Sequence, residues 1–199
     1  MAQPSDDRPG LRERKKARTR KTIREHAMRL FTEQGYAATT VEQIAEAAEV
    51  SPSTFFRYFP TKEEVVLADD LDPIAFASFQ NQPAEMTPLA ALRASVKDVF
   101  SNLSNEDREL ERHRQLLIAS VPELRGAVLL RLSESVEMFA EQVGKRVGRP
   151  ATDFEVRNFA GVVLGTALSG LAEAIDQPMM TYLEAIDRAL EHLQQGLPL

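Results

Sequence analysis

Residues 41–59, VEQIAEAAEVSPSTFFRYF, hold two short helix signals separated by a tight turn. In the first, Val41, Ile44, Ala45 and Ala48 share one helical face, opened by a T-x-x-Q capping box at Thr40 and Gln43. The second has Ser51 as N-cap and Pro52 at the first helical position, where a missing N–H costs nothing. It runs to Tyr58, before Pro60, and about three residues, Glu49-Val50-Ser51, join the pair. Two short helices so closely joined make a helix-turn-helix, in which the second helix enters the DNA major groove and the first crosses the backbone. Phe55 and Phe59, four apart, can face a core. Pro52, Ser53, Thr54, Phe56, Arg57 and Tyr58 are left outside, a set of hydroxyls, rings and a guanidinium suited to reading a groove.

Upstream, Ile23, Ala27, Leu30 and Phe31 recur at helical spacing within residues 19–34, and Gly35 ends that helix. Downstream, Thr61 and Glu64 form a T-x-x-E start for a helix to about Leu71. Asp72-Pro73 and Thr87-Pro88 repeat the cap-plus-proline pattern, and Asn105 caps a helix reaching Ser120. A long helix follows Val121-Pro122 to about Val147, and Gly148-Arg149-Pro150 is a turn. Thr152 with Glu155 opens the next helix, to about Asp176, and Pro178 opens the last. No stretch alternates with period two, so the chain reads as all-α with about nine helices.

The charge is unevenly spread. Residues 1–62 carry twelve Lys and Arg against eight Asp and Glu, whereas residues 63–199 carry twelve against twenty-two. Within Arg8–Arg29 the ratio is ten to two. An acidic chain of net charge −6 with a basic head meets a polyanion through one end. The absence of cysteine excludes disulfides, thiolate metal sites and a cysteine nucleophile, and agrees with a reducing cytoplasm. His26, His113 and His192 lack metal-ligand spacing, so no metal and no cofactor is expected. Neither a membrane span nor a secretory signal is present in the sequence.

The stretch from Thr19 to Asp69 resembles the N-terminal domain of the tetracycline-repressor (TetR) family of bacterial regulators. The landmarks are Ala27, Leu30, Phe31, Gly35 and Tyr36, then Thr39-Thr40-Val41 and Ile44-Ala45, then Val50-Ser51, Phe55, Tyr58-Phe59 and Lys62-Glu63. The segment PSTFFRYFPTKE particularly resembles regulators of the mycofactocin type, some of which respond to acyl-coenzyme A. The resemblance implies a basic flexible arm (1–17), a DNA-binding domain (18–64) and an all-α effector-binding and dimerisation domain (65–199). It implies double-stranded operator DNA, a second copy of the chain and a small hydrophobic or acidic effector as partners.

Roles carry over residue by residue. Thr39 and Thr40, at a helix N-terminus, hold a phosphate or simply cap. Ser51 is cap and phosphate neighbour, while Ser53, Thr54 and Arg57 are candidates for reading bases, Arg57 equally for binding phosphate. Tyr58 and Lys62 contact phosphate, and the basic arm with Arg18 reaches the minor groove or the backbone. Phe56 departs from the family, many of whose members carry a phosphate-binding tyrosine there. A phenyl ring can only pack against sugar-phosphate or a thymine methyl.

Beyond residue 72 the reading rests on periodicity. Met179, Leu183, Ile186, Leu190, Leu193 and Leu197 form a seam suited to another helix, and with Gly161, Gly165 and Ser169 of the preceding helix they are the expected dimer interface, packing within the chain being the alternative. Gly161, Gly165 and Ser169 lie four apart and allow close backbone approach. Interior helical glycine costs about 0.8–1 kcal/mol against alanine, so a compensating contact is expected, in a partner or within the chain. Phe76, Phe79, Phe100, Leu103, Leu117, Met138, Phe139, Phe159 and Val163 are candidates to line an apolar cavity. Arg114 falls in the stripe Leu110, Leu117, Val121 and needs an anion, either an internal carboxylate or an acidic ligand. The expected function is a ligand-responsive transcriptional repressor acting as a homodimer. Two alternatives stay open: an all-α enzyme with a basic tether, and an architectural DNA-binding protein without effector.

Overall fold

A computed structural model describes residues 10–68, 71–176 and 182–199, with the side chains of residues 171, 174–176 and 182 left aside. Among the described residues there are ten helices and no strand. The chain divides into two compact units between Val66 and Leu67.

The N-terminal unit holds α1 (Leu11–Gln34), α2 (Val41–Ala47), α3 (Pro52–Tyr58) and most of α4 (Lys62–Leu67). Ile23, Ala27 and Phe31 of α1 meet Ile44, Phe55, Phe59 and Val65 in a core whose members are all at most 2% exposed. The capping box at Thr40 forms as expected, with Gln43 N–H on the Thr40 hydroxyl and Thr40 N–H on the Gln43 side chain. Helix α1 starts at Leu11, so the flexible arm expected to reach residue 17 is helical from there onward. Its sequence, LRERKKAR, consists of good helix formers, and propensity outweighs its lack of a buried face. The helices α2 and α3 are joined by Ala48–Ser51, with Glu49 in the left-handed region at φ 53°.

The C-terminal unit holds α5 (Asp72–Asn81), α6 (Pro88–Asn102), α7 (Asn105–Ser120), α8 (Pro122–Val147), α9 (Phe154–Asp176) and α10 (Tyr182–Gln194). Phe79, Ala91, Phe139, Ala140, Val156, Ala160 and Leu190 form its core. The cap of α9 is Asp153, whose carboxylate accepts from the N–H groups of Glu155 and Val156, rather than Thr152. The cap of α7 is Ser104, one residue before the expected Asn105. Gly170 lets α9 approach α10: a Cβ there would stand 3.3 Å from the backbone of Ala185 and Ile186. That contact answers the cost of this one glycine.

Candidate nucleic-acid interface and internal cavity

Helix α3 is seated by Phe55 and Phe59, both 0% exposed. Its start is fixed by Ser51, which accepts from Thr54 N–H at 3.1 Å and shares hydroxyl contacts with Ser53 and Thr54. Pro52, Ser53, Phe56 and Arg57 are exposed, while Thr54 and Tyr58 are half-buried. The Phe56 ring stands edge-on to Phe55 at 5.5 Å, which holds an apolar ring outward at 50% exposure. The Arg57 guanidinium lies 5.4 Å from the Tyr58 ring. Arg18 is exposed on α1. Two residues on, Arg20 donates to the Tyr58 carbonyl at 3.0 Å and covers the Phe59 ring at 4.4 Å, tying α1 to the end of α3.

Two expected DNA contacts are fasteners of the head. Thr39 is 1% exposed, and its hydroxyl donates to the Gly35 carbonyl and accepts from Gln34. It cannot reach a phosphate, because the turn after α1 folds over it; Thr40, exposed, keeps its place at the start of α2. Lys62 Nζ donates to the carbonyls of Tyr36 and Thr39 at 2.9 and 3.0 Å and lies 4.2 Å from the Tyr36 ring. An ammonium has three donors, so one remains for a phosphate. Beside it the Glu63 carboxyl is held below its usual 4.5, chiefly by the Thr61 hydroxyl, then by its own backbone N–H, the Lys62 charge and Tyr36, against an opposing effect of burial.

The C-terminal unit encloses a cavity of about 340 Å³. Of the nine apolar residues expected to line it, Phe76, Phe79, Met138, Phe139 and Val163 do, and so does Arg114. Phe100 lies instead under the Arg108 guanidinium, Leu103 caps α6, and Leu117 is turned away. Phe159 stacks on Phe139 in the core at 6.3 Å without reaching the cavity. Core and cavity draw on the same residue types, so composition could not separate them. The inward face of α7 is Glu111, Arg114, Gln115 and Ile118, a register rotated from the expected stripe through Leu110 and Leu117. Arg114 meets an internal carboxylate: Nε and Nη2 both donate to Glu111 at 2.7 Å.

The α10 seam also turns inward. Leu183, Ile186 and Leu190 line the cavity, and Leu190 is 1% exposed, so these side chains are taken up within the subunit. An apolar stripe demands cover, and here α9 and the cavity provide it. Leu193 is half-buried, Leu197 lies past the helix end, and Met179 falls outside the described residues. On α9 the small residues behave differently. Gly165 and Ser169 are exposed, Gly161 is half-buried, and a Cβ at Gly161 or Gly165 would meet nothing within 4 Å. The residues missed by sequence reasoning, Gln115 and Leu183 among them, were visible only as a polar neighbour of Arg114 and as a helix seam. Among the described residues no His, Cys, Asp and Glu group could hold a metal ion, and no helix is long and apolar enough to cross a membrane.

Comparison with known proteins agrees with both units. Residues 23–68 match the family described as bacterial regulatory proteins, tetR family, and residues 86–198 match the MftR C-terminal domain. The chain is 39% identical over 147 residues to the HTH-type transcriptional regulator TcmR of Streptomyces glaucescens, a match covering 70% of this chain and 65% of that one. It is 27% identical to the putative mycofactocin biosynthesis transcriptional regulator MftR of Mycobacterium tuberculosis, across 98% of this chain and 97% of that one. Among solved structures, a putative TetR-family regulator from Syntrophomonas wolfei aligns with TM-score 0.61 at 20% identity, covering 92% of this chain and 98% of that one. FadR of Thermus thermophilus, a TetR-family repressor in complex with lauroyl-CoA, aligns with TM-score 0.55 at 22% identity over 90% and 95% of the two chains. A helix-turn-helix head on an all-α, cavity-bearing unit, with the matching family signatures in each, makes this chain a member of the TetR family of bacterial transcriptional regulators with an MftR-type C-terminal domain.

Proposed function

We propose that the protein is a cytoplasmic, homodimeric, one-component repressor that binds a pseudo-palindromic operator and is released by a small, mainly apolar effector. The observation that carries this reading is the α3 face: Ser53, Phe56 and Arg57 exposed on a helix whose opposite side is locked by Phe55 and Phe59. Side chains held on a rigid element can read base edges, because little ordering entropy is lost on docking. Ser53, Thr54 and Arg57 read bases; Thr40, Ser51, Tyr58, Arg18 and the third donor of Lys62 position the backbone. The open face at Gly161, Gly165 and Ser169 supports pairing of α9 with its mate across a two-fold axis.

The effector acts by linkage. A molecule that binds better to the form whose two reading heads are wrongly spaced lowers DNA affinity by its differential affinity for the two forms. The cavity volume lies at the lower end of the ~300–1,000 Å³ usual for small-molecule sites. Selection of random duplexes by the purified protein tests the reading. An inverted repeat with half-site centres about one turn, ~34–36 Å, or a multiple apart is expected. Selection that enriches no inverted repeat rejects it.

A further inference from the structure

The cavity in the C-terminal unit has two neutral polar residues in its lining, Ser135 and Gln115, and Gln115 is the buried one. Gln115 lines it and is 6% exposed. Its side-chain nitrogen donates to Glu111 Oε1 at 2.5 Å. A carboxylate accepts and does not donate, so this bond settles which end of the amide is nitrogen. The amide oxygen is therefore the remaining end. It accepts no hydrogen bond, and it sits where the surroundings are mostly apolar: Phe76, Phe79, Ile118 and Phe139 line the same space. An acceptor that the protein leaves open in a mostly apolar space is a place where a ligand's donor gains a hydrogen bond.

The charges around it are already answered. Arg114 and Glu111 form a bidentate pair with side chains only 6% and 14% exposed. Asp72 and Arg131, the other charged residues of the lining, are each engaged within the protein. Two acids and two bases leave the lining without net charge. An anionic effector would find no uncommitted cation and would lose its hydration on entry.

Resting on the reading of this cavity as the effector site, we infer that the effector is an uncharged molecule with a hydrogen-bond donor on an apolar body, and that Gln115 recognises the donor. Glu111 and Arg114 are positioning residues: the pair fixes the carboxylate, and the carboxylate holds the Gln115 amide with its oxygen free. Three phenyl rings in the lining favour a flat apolar body.

Three naphthalene probes of nearly one size separate the possibilities at pH 7: β-naphthol (uncharged donor), β-methoxynaphthalene (uncharged, no donor) and β-naphthoate (anion). Binding to the full chain is measured by calorimetry. β-Naphthol is expected to bind about 5-fold more tightly than the methyl ether, the worth of one net hydrogen bond of ~1 kcal/mol, and the carboxylate weakest. Gln115→Leu should bring the naphthol-to-ether ratio to about one while leaving the ether within about 2-fold, and Gln115→Met, closer in length, should do the same. Thermal melts check that each variant is folded. Failure of β-naphthol to bind, a preference for the ether or the carboxylate, or a naphthol preference that survives in a folded variant overturns the inference. Operator affinity is read in parallel. Donor preference intact, with no effect of β-naphthol on DNA affinity, supports the inference and strikes only the regulatory reading.

Discussion

Helices α3 and α9 each leave one face uncovered within the subunit, and the two faces are chemically unlike. On α3 the uncovered face holds hydroxyls, a guanidinium and an out-turned phenyl ring. On α9 it holds Gly161, Gly165 and Ser169, where an added Cβ at either glycine meets nothing. The first face offers directional donors at fixed positions, which a polar groove can satisfy. The second offers shape alone, a shallow trough that only another backbone can fill closely. A single helix even shows both kinds of small residue, since Gly170 is pressed against α10 while Gly165 looks outward.

That contrast is broken most sharply by paired substitutions on α9. Gly165→Leu adds bulk in open space, so the subunit should melt as before. If α9 pairs with its mate as proposed, the substitution acts twice at the two-fold crossing, and overpacking costs about 1–3 kcal/mol per site. The dimer dissociation constant should therefore rise roughly 30-fold or more, at ~1.4 kcal/mol per decade. DNA binding should fall with it. Gly170→Leu should instead lower the melting temperature, because its Cβ alone would stand 3.3 Å from α10 backbone. Sedimentation showing Gly165→Leu still dimeric at nanomolar concentration would place the interface elsewhere.

Next in size are changes on the head. Arg57→Ala should alter base preference at one position per half-site, by about 1–3 kcal/mol if the contact is bidentate. Lys62→Met should lower the stability of the head by about 1–3 kcal/mol, since it strips two carbonyls of a charged donor. Its loss of affinity should be uniform across sequences. Competition binding on operator variants checks both, and a changed preference in Lys62→Met alone would invert the assignment.

The legible parts of this molecule are those fixed by neighbours within four residues. The Thr40–Gln43 box, the Ser51-Pro52 start and the Phe55–Phe59 pair are local signals, and α2 and α3 lie where they point. Thr39 and Lys62 looked like exposed contacts because their fates depend on the turn after α1, which for Lys62 is 23 to 26 residues away in the chain. The α10 seam shows the same limit from the other side. Periodicity says that Leu183, Ile186 and Leu190 must be covered, but not whether a partner or the chain's own α9 covers them. On α7 the stripe was one register off, because Leu110 and Leu117 are apolar yet half-buried while Glu111 and Gln115 carry the inward face. Polar residues can take inward positions once they satisfy one another, and a hydrophobic pattern cannot see that.

A smaller effect is expected in the turn between α2 and α3. Glu49 holds φ 53°, where an L-residue pays about 1–2 kcal/mol and glycine does not. Glycine loses more entropy on folding, about 0.5–1 kcal/mol, so Glu49→Gly should gain roughly 0.5 kcal/mol net. A small rise in melting temperature with unchanged operator preference is the expected result. Destabilisation would mean that the Glu49 side chain contributes more than the turn geometry shows.

The smallest effect concerns acid stability of the head. Glu63 sits in the first turn of α4, where the Thr61 hydroxyl, its own N–H, the Lys62 ammonium and Tyr36 favour its ionised form. Its folded pKa is lowered below the usual 4.5, so the unfolded chain takes up the proton first as pH falls. The stabilisation is therefore fully present above 4.5 and is lost as pH drops through the lower folded value. Glu63→Gln removes this contribution, since an amide neither ionises nor holds Lys62 by charge. Denaturant midpoints of the variant should lie slightly below wild type at pH 7, and the two should converge between pH 4.5 and the fully acid end. Curves that stay parallel throughout that range would show that Glu63 titrates alike in the folded and unfolded chain, and that the ties around Lys62 owe nothing to its carboxylate.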